Sequence, residues 1–114
     1  MRSSYDRDDV IFLLKDITGL VEPEPAEVRE RQIQSGRHYC EMLPLEYVPS
    51  AAYMEAYREA LKYFAVPVAE AVGRLADRIM ETGGAGTVLV SLARAGTPAG
   101  ILLKRYIRKK YGVS

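Results

Sequence analysis

The sequence has little cysteine and histidine and no tryptophan. Its 114 residues include one cysteine and one histidine. An internal disulfide needs two thiols, so a chain whose single cysteine is Cys40 cannot form one. This favours a reducing, cytoplasmic setting. A single histidine also excludes a catalytic or metal centre built from several imidazoles, and we expect no metal site within the chain.

Long apolar runs and an excess of one charge sign are absent as well. The apolar run at residues 10–14 is far shorter than the ~20 residues that cross a bilayer, and the polar start MRSSYDRDDV does not resemble a signal peptide. The net charge of +1 provides no bulk attraction to nucleic acid or anionic membranes. We therefore expect neither nucleic acid nor a membrane as a partner.

What is present is the composition of an ordinary globular domain. Hydrophobic residues make up 48% of the chain and charged residues 27%. The length fits one domain, or part of one. We divide this single domain into an N-terminal arm and helix (1–36), an ordered loop (37–49), a helical pair (50–82) and a β-loop-α unit (87–114).

The first half of the chain contains clear helix boundaries. Pro25 suits the first turn of a helix that ends at Gly36. Ser50 is the expected N-cap of the next helix. Two acidic residues, Asp8 and Asp9, precede the apolar residues 10–14, which fit either a short helix or a buried strand.

The helical pair is amphipathic. Tyr53, Tyr57 and Phe64 recur at helical spacing and are expected to pack into the core. Pro67 is expected to divide the segment into two helices, because proline lacks a backbone donor and clashes with the preceding turn.

The stretch TVLVSL, residues 87–92, is apolar on both faces, which predicts an interior strand of a parallel sheet. A helix running from Pro98 to Tyr111 is expected to follow it. No second strand is encoded with comparable strength, so the predicted fold class is α/β, mostly helical, with one clear strand. Such a strand needs a neighbour for its backbone groups, so we expect it to pair with another copy of the chain or with residues 10–14.

A small-residue turn links this strand to the last helix. Backbone N–H groups and the helix dipole attract anions at such a turn. Arg94 adds a guanidinium that matches phosphate oxygens, Ala95 and Gly96 allow close approach, and Ser91 and Thr97 offer hydroxyls. The alternative is that the turn only redirects the chain, with Arg94 in solvent. It is neither a Walker loop nor a dinucleotide-binding glycine motif.

A second candidate site is the His38–Cys40 pair. Residues two apart on an extended chain point the same way, so the imidazole can act as a base for the thiol, with Glu41 or Glu46 to orient it. The alternative is a structural loop that contains an unreactive thiol. Arg37 and His38 can instead bind phosphate or substrate.

Three stretches together resemble the StiP family: YDRDDVIFLLKDITGLVEPEP, SGRHYCEMLPLEYVPS and VLVSLARAGTPAG. This bacterial, phosphoribosyltransferase-like family is associated with tellurite-resistance and stress gene clusters, and its members are also labelled cysteine proteases. The longer stretch VLVSLARAGTPAGILLKRYI resembles the first β-loop-α unit of type I phosphoribosyltransferases.

The resemblance implies a truncated type I phosphoribosyltransferase-like fold that binds phosphoribosyl pyrophosphate, or a related phosphorylated ribose, together with Mg²⁺. Arg94 and Gly96 match the basic residue and the glycine that contact pyrophosphate in that family. The motif that grips the ribose 5-phosphate in that family has no match here. We therefore expect an N-terminal portion of a longer protein, inactive alone and a glycosyltransferase-class enzyme only when completed. Two alternatives are a cysteine hydrolase using Cys40 and a non-catalytic helical interaction module.

Overall fold

Helices make up most of the secondary structure. The computed structural model describes residues 4–92 and 94–113. Within them lie helices α1 (Ala26–Gln34), α2 (Ala51–Gly83) and α3 (Gly96–Tyr111), and two-residue strands β1 (Pro23–Glu24) and β2 (Leu43–Pro44) that pair in parallel. This confirms a mostly helical chain, and the parallel strand pair lies at β1 and β2, outside the predicted strand 87–92.

The predicted boundaries of α1 are confirmed. Pro25 precedes the first turn with its φ at −59°. At the other end Gly36 has a φ of +99°, a left-handed conformation that glycine adopts without steric cost. The backbone N–H groups of Gly36 and Arg37 donate to the carbonyls of Ile33 and Gln32, both at 3.0 Å. These bonds satisfy carbonyls that the end of α1 leaves unpaired.

Helix α2 begins as predicted but does not break at proline. The Ser50 hydroxyl accepts a hydrogen bond from the Tyr53 backbone N–H at 3.2 Å, which confirms the N-cap. The expected division at Pro67 is wrong, since one helix passes through it. Proline removes a single backbone bond, and the flanking turns of a 33-residue helix supply the others.

The aromatic stripe on α2 does not form a core. Tyr53, Tyr57 and Phe64 are each more than half exposed, so that prediction is wrong. Helical spacing specifies which residues share a face, but it does not specify what covers the face. Burial lies further along, at Gly73 and Ala76.

Two compact units divide the described chain. The first comprises residues 13–54, and the second comprises residues 4–12, 55–92 and 94–113. Met42 is buried in the first unit, with 5% exposure. The assignment of residues 1–114 to one incomplete domain stays a prediction.

The second unit is built around α3, whose start at Gly96 lies two residues before the predicted Pro98. Thr97, Ile101 and Ile107 are its buried residues. Tyr106 packs against α2: a Cβ on Gly73 would lie 3.2 Å from the Tyr106 ring.

The N-terminal segment of this unit is held to α3 by charge. The Arg105 guanidinium bonds both carboxylate oxygens of Asp9, and Lys104 donates to the backbone carbonyls of Asp8 and Asp9. Asp9 thus pairs with a side chain of α3. Residues 10–14 form neither the helix nor the strand considered for them, and Ile11 is 80% exposed.

Residues 87–92 form no strand, which corrects the prediction of one there. A strand requires a ladder of backbone bonds, and no described segment lies alongside this one as a partner. The side chains still alternate. Val88, Val90 and Leu92 are 82%, 89% and 89% exposed, whereas Leu89 is half-buried. The segment is therefore strand-like in side-chain pattern but lacks a neighbour.

Candidate functional site

The His38–Cys40 pair is a formed contact in the first unit. His38 has an extended backbone and caps a three-residue 3₁₀ turn, Tyr39–Glu41. Its Nδ1 accepts a hydrogen bond from the Cys40 backbone N–H at 3.3 Å and lies 2.9 Å from Cys40 Sγ. Since Nδ1 accepts from the amide, the proton of a neutral imidazole resides on Nε2.

The pair is open to solvent. Both side chains are exposed, and Cys40 is a free thiol. The Tyr39 ring lies against the imidazole, with 4.9 Å between ring centroids and 31° between planes. A thiol hydrogen-bonded to an imidazole nitrogen can transfer its proton and become the more nucleophilic thiolate.

Neither acidic residue proposed to orient the imidazole does so. The Glu41 carboxylate lies 3.9 Å from Arg37 Nε, and within residues 4–92 and 94–113 no carboxylate pairs with His38. The described arrangement is thus a Cys–His pair without a third acidic member.

Arg37 holds this turn in place. Its Nη1 donates to Gln32 Oε1 and lies 3.7 Å from a Glu24 carboxylate oxygen. Its Nη2 donates to the Glu41 carbonyl at 3.2 Å. Sequence reasoning missed these partners, because Glu24 and Gln32 are brought to the turn only when β1 and α1 are in place.

The second candidate site, at the start of α3, contains an unusual backbone. Arg94 has a φ of +70°, in the left-handed region that residues with a Cβ rarely adopt. Its side chain is exposed and forms no ion pair with any described residue. The first turn of α3 has no acidic residue and no capping side chain from the described chain, so the positive end of the helix dipole is uncompensated there.

The remaining residues predicted for this turn occupy different positions. A Cβ on Gly96 would lie 3.8 Å from Ser91, so Ser91 packs against the start of the helix. Ala95 is exposed, whereas Thr97 is buried with 6% exposure. Arg37 and His38, also predicted to bind phosphate, belong to the other unit.

A polar cluster that sequence reasoning missed joins α2 to α3. The Asp77 carboxylate accepts from Lys110 Nζ at 2.8 Å and from the Tyr111 hydroxyl at 2.8 Å. These donors hold the pKa of Asp77 below its usual value. The donors and acceptors of this cluster bond to one another, so we assign it a role in the stability of the fold.

Metal-ligand clusters are absent from the described residues. No group of three or more His, Cys, Asp or Glu residues among them is placed to hold an ion. In the same ranges no helix combines the length and apolarity that a membrane crossing requires.

Comparison with known proteins gives a family and one curated relative. Residues 3–114 match the family described as "Tellurite-like stress resistance cysteine protease StiP". The "Cysteine protease StiP" of Acinetobacter baylyi (strain ATCC 33305 / BD413 / ADP1) is 36% identical over 118 residues, covering 97% of this chain. The chain spans 30% of the length of that relative. No solved structure matches the chain.

Proposed function

The chain belongs to the StiP family, and we propose that its His38–Cys40 turn provides the nucleophile of a cysteine peptidase. The observation that carries the proposal is the 2.9 Å contact between His38 Nδ1 and an exposed Cys40 Sγ. The term "cysteine protease" in the names of both the family and the relative agrees with it.

The proposed reaction uses only these two side chains and water. The thiol proton passes to His38 Nδ1, and the Sγ electron pair attacks the peptide carbonyl carbon. The C–N bond breaks, and the departing amine takes the proton from the imidazole, leaving a thioester on Cys40. Water, deprotonated by the imidazole, then attacks the thioester, which releases the carboxylic acid and restores the thiol.

Alkylation of Cys40 by iodoacetamide tests the pairing directly. Since the chain has one cysteine, each modification is one mass-resolved adduct. His38→Asn keeps an oxygen that can accept the hydrogen bond from the Cys40 backbone N–H, but it removes the base. We expect it to slow alkylation at pH 7 by roughly 3–10-fold.

Hydrolysis of a fluorogenic peptide library completes the test, with Cys40→Ser as the matched loss of the nucleophile. Activity should vanish in Cys40→Ser and fall sharply in His38→Asn. Equal alkylation rates for wild type and His38→Asn at pH 7, or peptide hydrolysis that survives Cys40→Ser, would contradict the proposal.

The Arg94 turn favours a second function, the binding of a pyrophosphate group such as that of phosphoribosyl pyrophosphate. Its support is the strained, exposed Arg94 beside the uncompensated start of α3. A phosphoribosyltransferase-like fold would place such a turn at its ligand end. Saturable binding of inorganic pyrophosphate, weakened by Arg94→Ala, is the expected result.

A further inference from the structure

Arg37 bridges the two ends of the segment that contains both reacting groups. Its own backbone is joined to His38, and its Nη2 donates to the carbonyl of Glu41, the residue after Cys40. The guanidinium therefore closes a loop across residues 37–41. Two backbone bonds support this loop: one lies inside it, from Glu41 N to the His38 carbonyl at 3.0 Å, and one enters it from the next residue, from Met42 N to the Tyr39 carbonyl at 3.3 Å.

The other side of the same guanidinium is fixed to the body of the first unit. Gln32 of α1 accepts from Nη1, and the Gln32 amide nitrogen donates to Glu24 of β1 at 2.8 Å. Glu24 in turn lies within ion-pair distance of Arg37. A planar fork with five donors can satisfy this set of acceptors, and an ammonium cannot do so with the same geometry.

These contacts leave the Arg37 donors directed at protein acceptors. We propose that Arg37 is a positioning residue that holds His38 Nδ1 within hydrogen-bonding distance of Cys40 Sγ, an inference that rests on the proposed peptidase function. We call these contacts of Arg37 with Gln32, Glu24 and the Glu41 carbonyl the Arg37 clamp. Without it, residues 38–40 can adopt other rotamers and turn geometries, and the imidazole and thiol spend less time in contact. Proton transfer from thiol to imidazole then becomes less frequent.

The experiment measures iodoacetamide alkylation of Cys40 at pH 7 in the full chain. Arg37→Met keeps the length of the side chain and removes all donors, and we expect it to slow alkylation by about the same factor as His38→Asn. Arg37→Lys keeps the charge without the fork and should lose most of the rate. Arg31→Met is the matched control, because Arg31 lies on α1 and its side chain, among the described residues, donates only to the Glu27 carbonyl of its own helix.

The double variant Arg37→Met/His38→Asn decides whether Arg37 acts through the imidazole. If it does, Arg37→Met has no further effect once His38 is gone, since the two changes remove the same interaction. Circular dichroism checks that α1 persists. If Arg37→Met loses helix, Gln32→Met, which leaves the arginine in place, should give a smaller loss of rate in the same direction.

The outcomes separate this inference from the proposed function. No effect of His38→Asn on the rate would refute both. A slow His38→Asn variant together with a normal Arg37→Met variant would refute only the positioning role. Equal slowing by Arg37→Met in the presence and absence of His38 would also refute it, since Arg37 would then act on the thiol by another route.

Discussion

At the scale of the residue, Arg94 combines backbone strain with a charge that pairs with no described residue. A left-handed φ costs a residue with a Cβ about 1–2 kcal/mol, and Arg94 has a φ of +70°. Two substitutions separate strain from charge. Arg94→Gly should stabilise the chain by roughly 0.5–1 kcal/mol, because glycine removes the steric cost but adds entropy to the unfolded state. Arg94→Ala keeps the strain and should be close to neutral. Urea unfolding measures both.

Pyrophosphate titration by calorimetry provides the functional half of this prediction. Both Arg94 variants should weaken binding by about tenfold or more, since each removes the phosphate-directed fork. Arg78→Ala removes the same charge from an exposed ion pair elsewhere in the second unit and serves as control. An equal loss of pyrophosphate affinity in Arg78→Ala would show that the binding comes from overall positive charge and not from a site at Arg94. In the urea experiment, an Arg94→Gly variant less stable than wild type would show that the strain is absent.

Sequence reasoning at the scale of single residues identified the His38–Cys40 pair but not its setting. Spacing of two residues on an extended chain predicted that imidazole and thiol can meet. In the structure they meet because His38 caps a 3₁₀ turn. The clamp around them depends on Gln32 and Glu24, which reach Arg37 only through the packing of α1 and β1. The spacing of residues along the sequence does not specify such tertiary neighbours.

At the scale of the element, Asp77 links α2 to α3 in a pH-dependent way. The hydrogen bonds from Lys110 and Tyr111 lower the pKa of Asp77, and the Asp77 carboxylate in turn raises the pKa of Lys110. A carboxyl group whose folded pKa is depressed contributes stability above its unfolded pKa and loses it as pH falls through the folded one. Asp77→Asn should therefore lower the melting temperature by a few degrees at pH 7, and the difference should shrink as the pH falls through the lowered pKa of Asp77.

Glu81→Gln is the control for this prediction. It breaks the Arg78–Glu81 pair, in which both side chains are more than half exposed, and such pairs contribute little. Thermal unfolding followed by circular dichroism compares the two variants. A melting temperature of Asp77→Asn that equals wild type at pH 7, or a deficit that does not shrink as the pH is lowered, would count against the Asp77 link between α2 and α3.

Elements with local signals were predictable, and elements that depend on partners were not. Local backbone chemistry specifies helix ends at Pro25 and Gly36, at Ser50, and around the run that follows Pro98. The structure places helix ends at or within two residues of these signals. The continuity of α2 through Pro67 and the exposure of its aromatic stripe depend on what packs around the helix. The residues 87–92 alternate like a strand, yet pairing requires a neighbour that local pattern cannot supply.

At the scale of the whole molecule, the segment 87–92 has no partner strand among the described residues, and three of its apolar side chains are exposed. Antiparallel self-pairing centred on Val90 would place Val88 opposite Leu92 of a second copy and Val90 opposite its equivalent. The outward-facing side chains would then form one apolar row across both copies, while Leu89 and Ser91 would remain on the opposite face. Exposed edges of this kind promote association between chains.

We therefore expect the chain to self-associate reversibly as its concentration rises, as measured by sedimentation velocity over a hundredfold range. Val90→Lys should shift the equilibrium toward monomer, because a charge on an exposed edge opposes pairing. Val66→Lys is the matched control, since Val66 is an exposed valine of α2 outside the segment. Amide hydrogen exchange adds a second readout, because residues 87–92 should gain protection only at concentrations where the dimer forms. A monomer at every concentration, or equal dissociation by Val66→Lys, would rule out pairing through this segment, and strong protection in that monomer would reveal an internal partner strand.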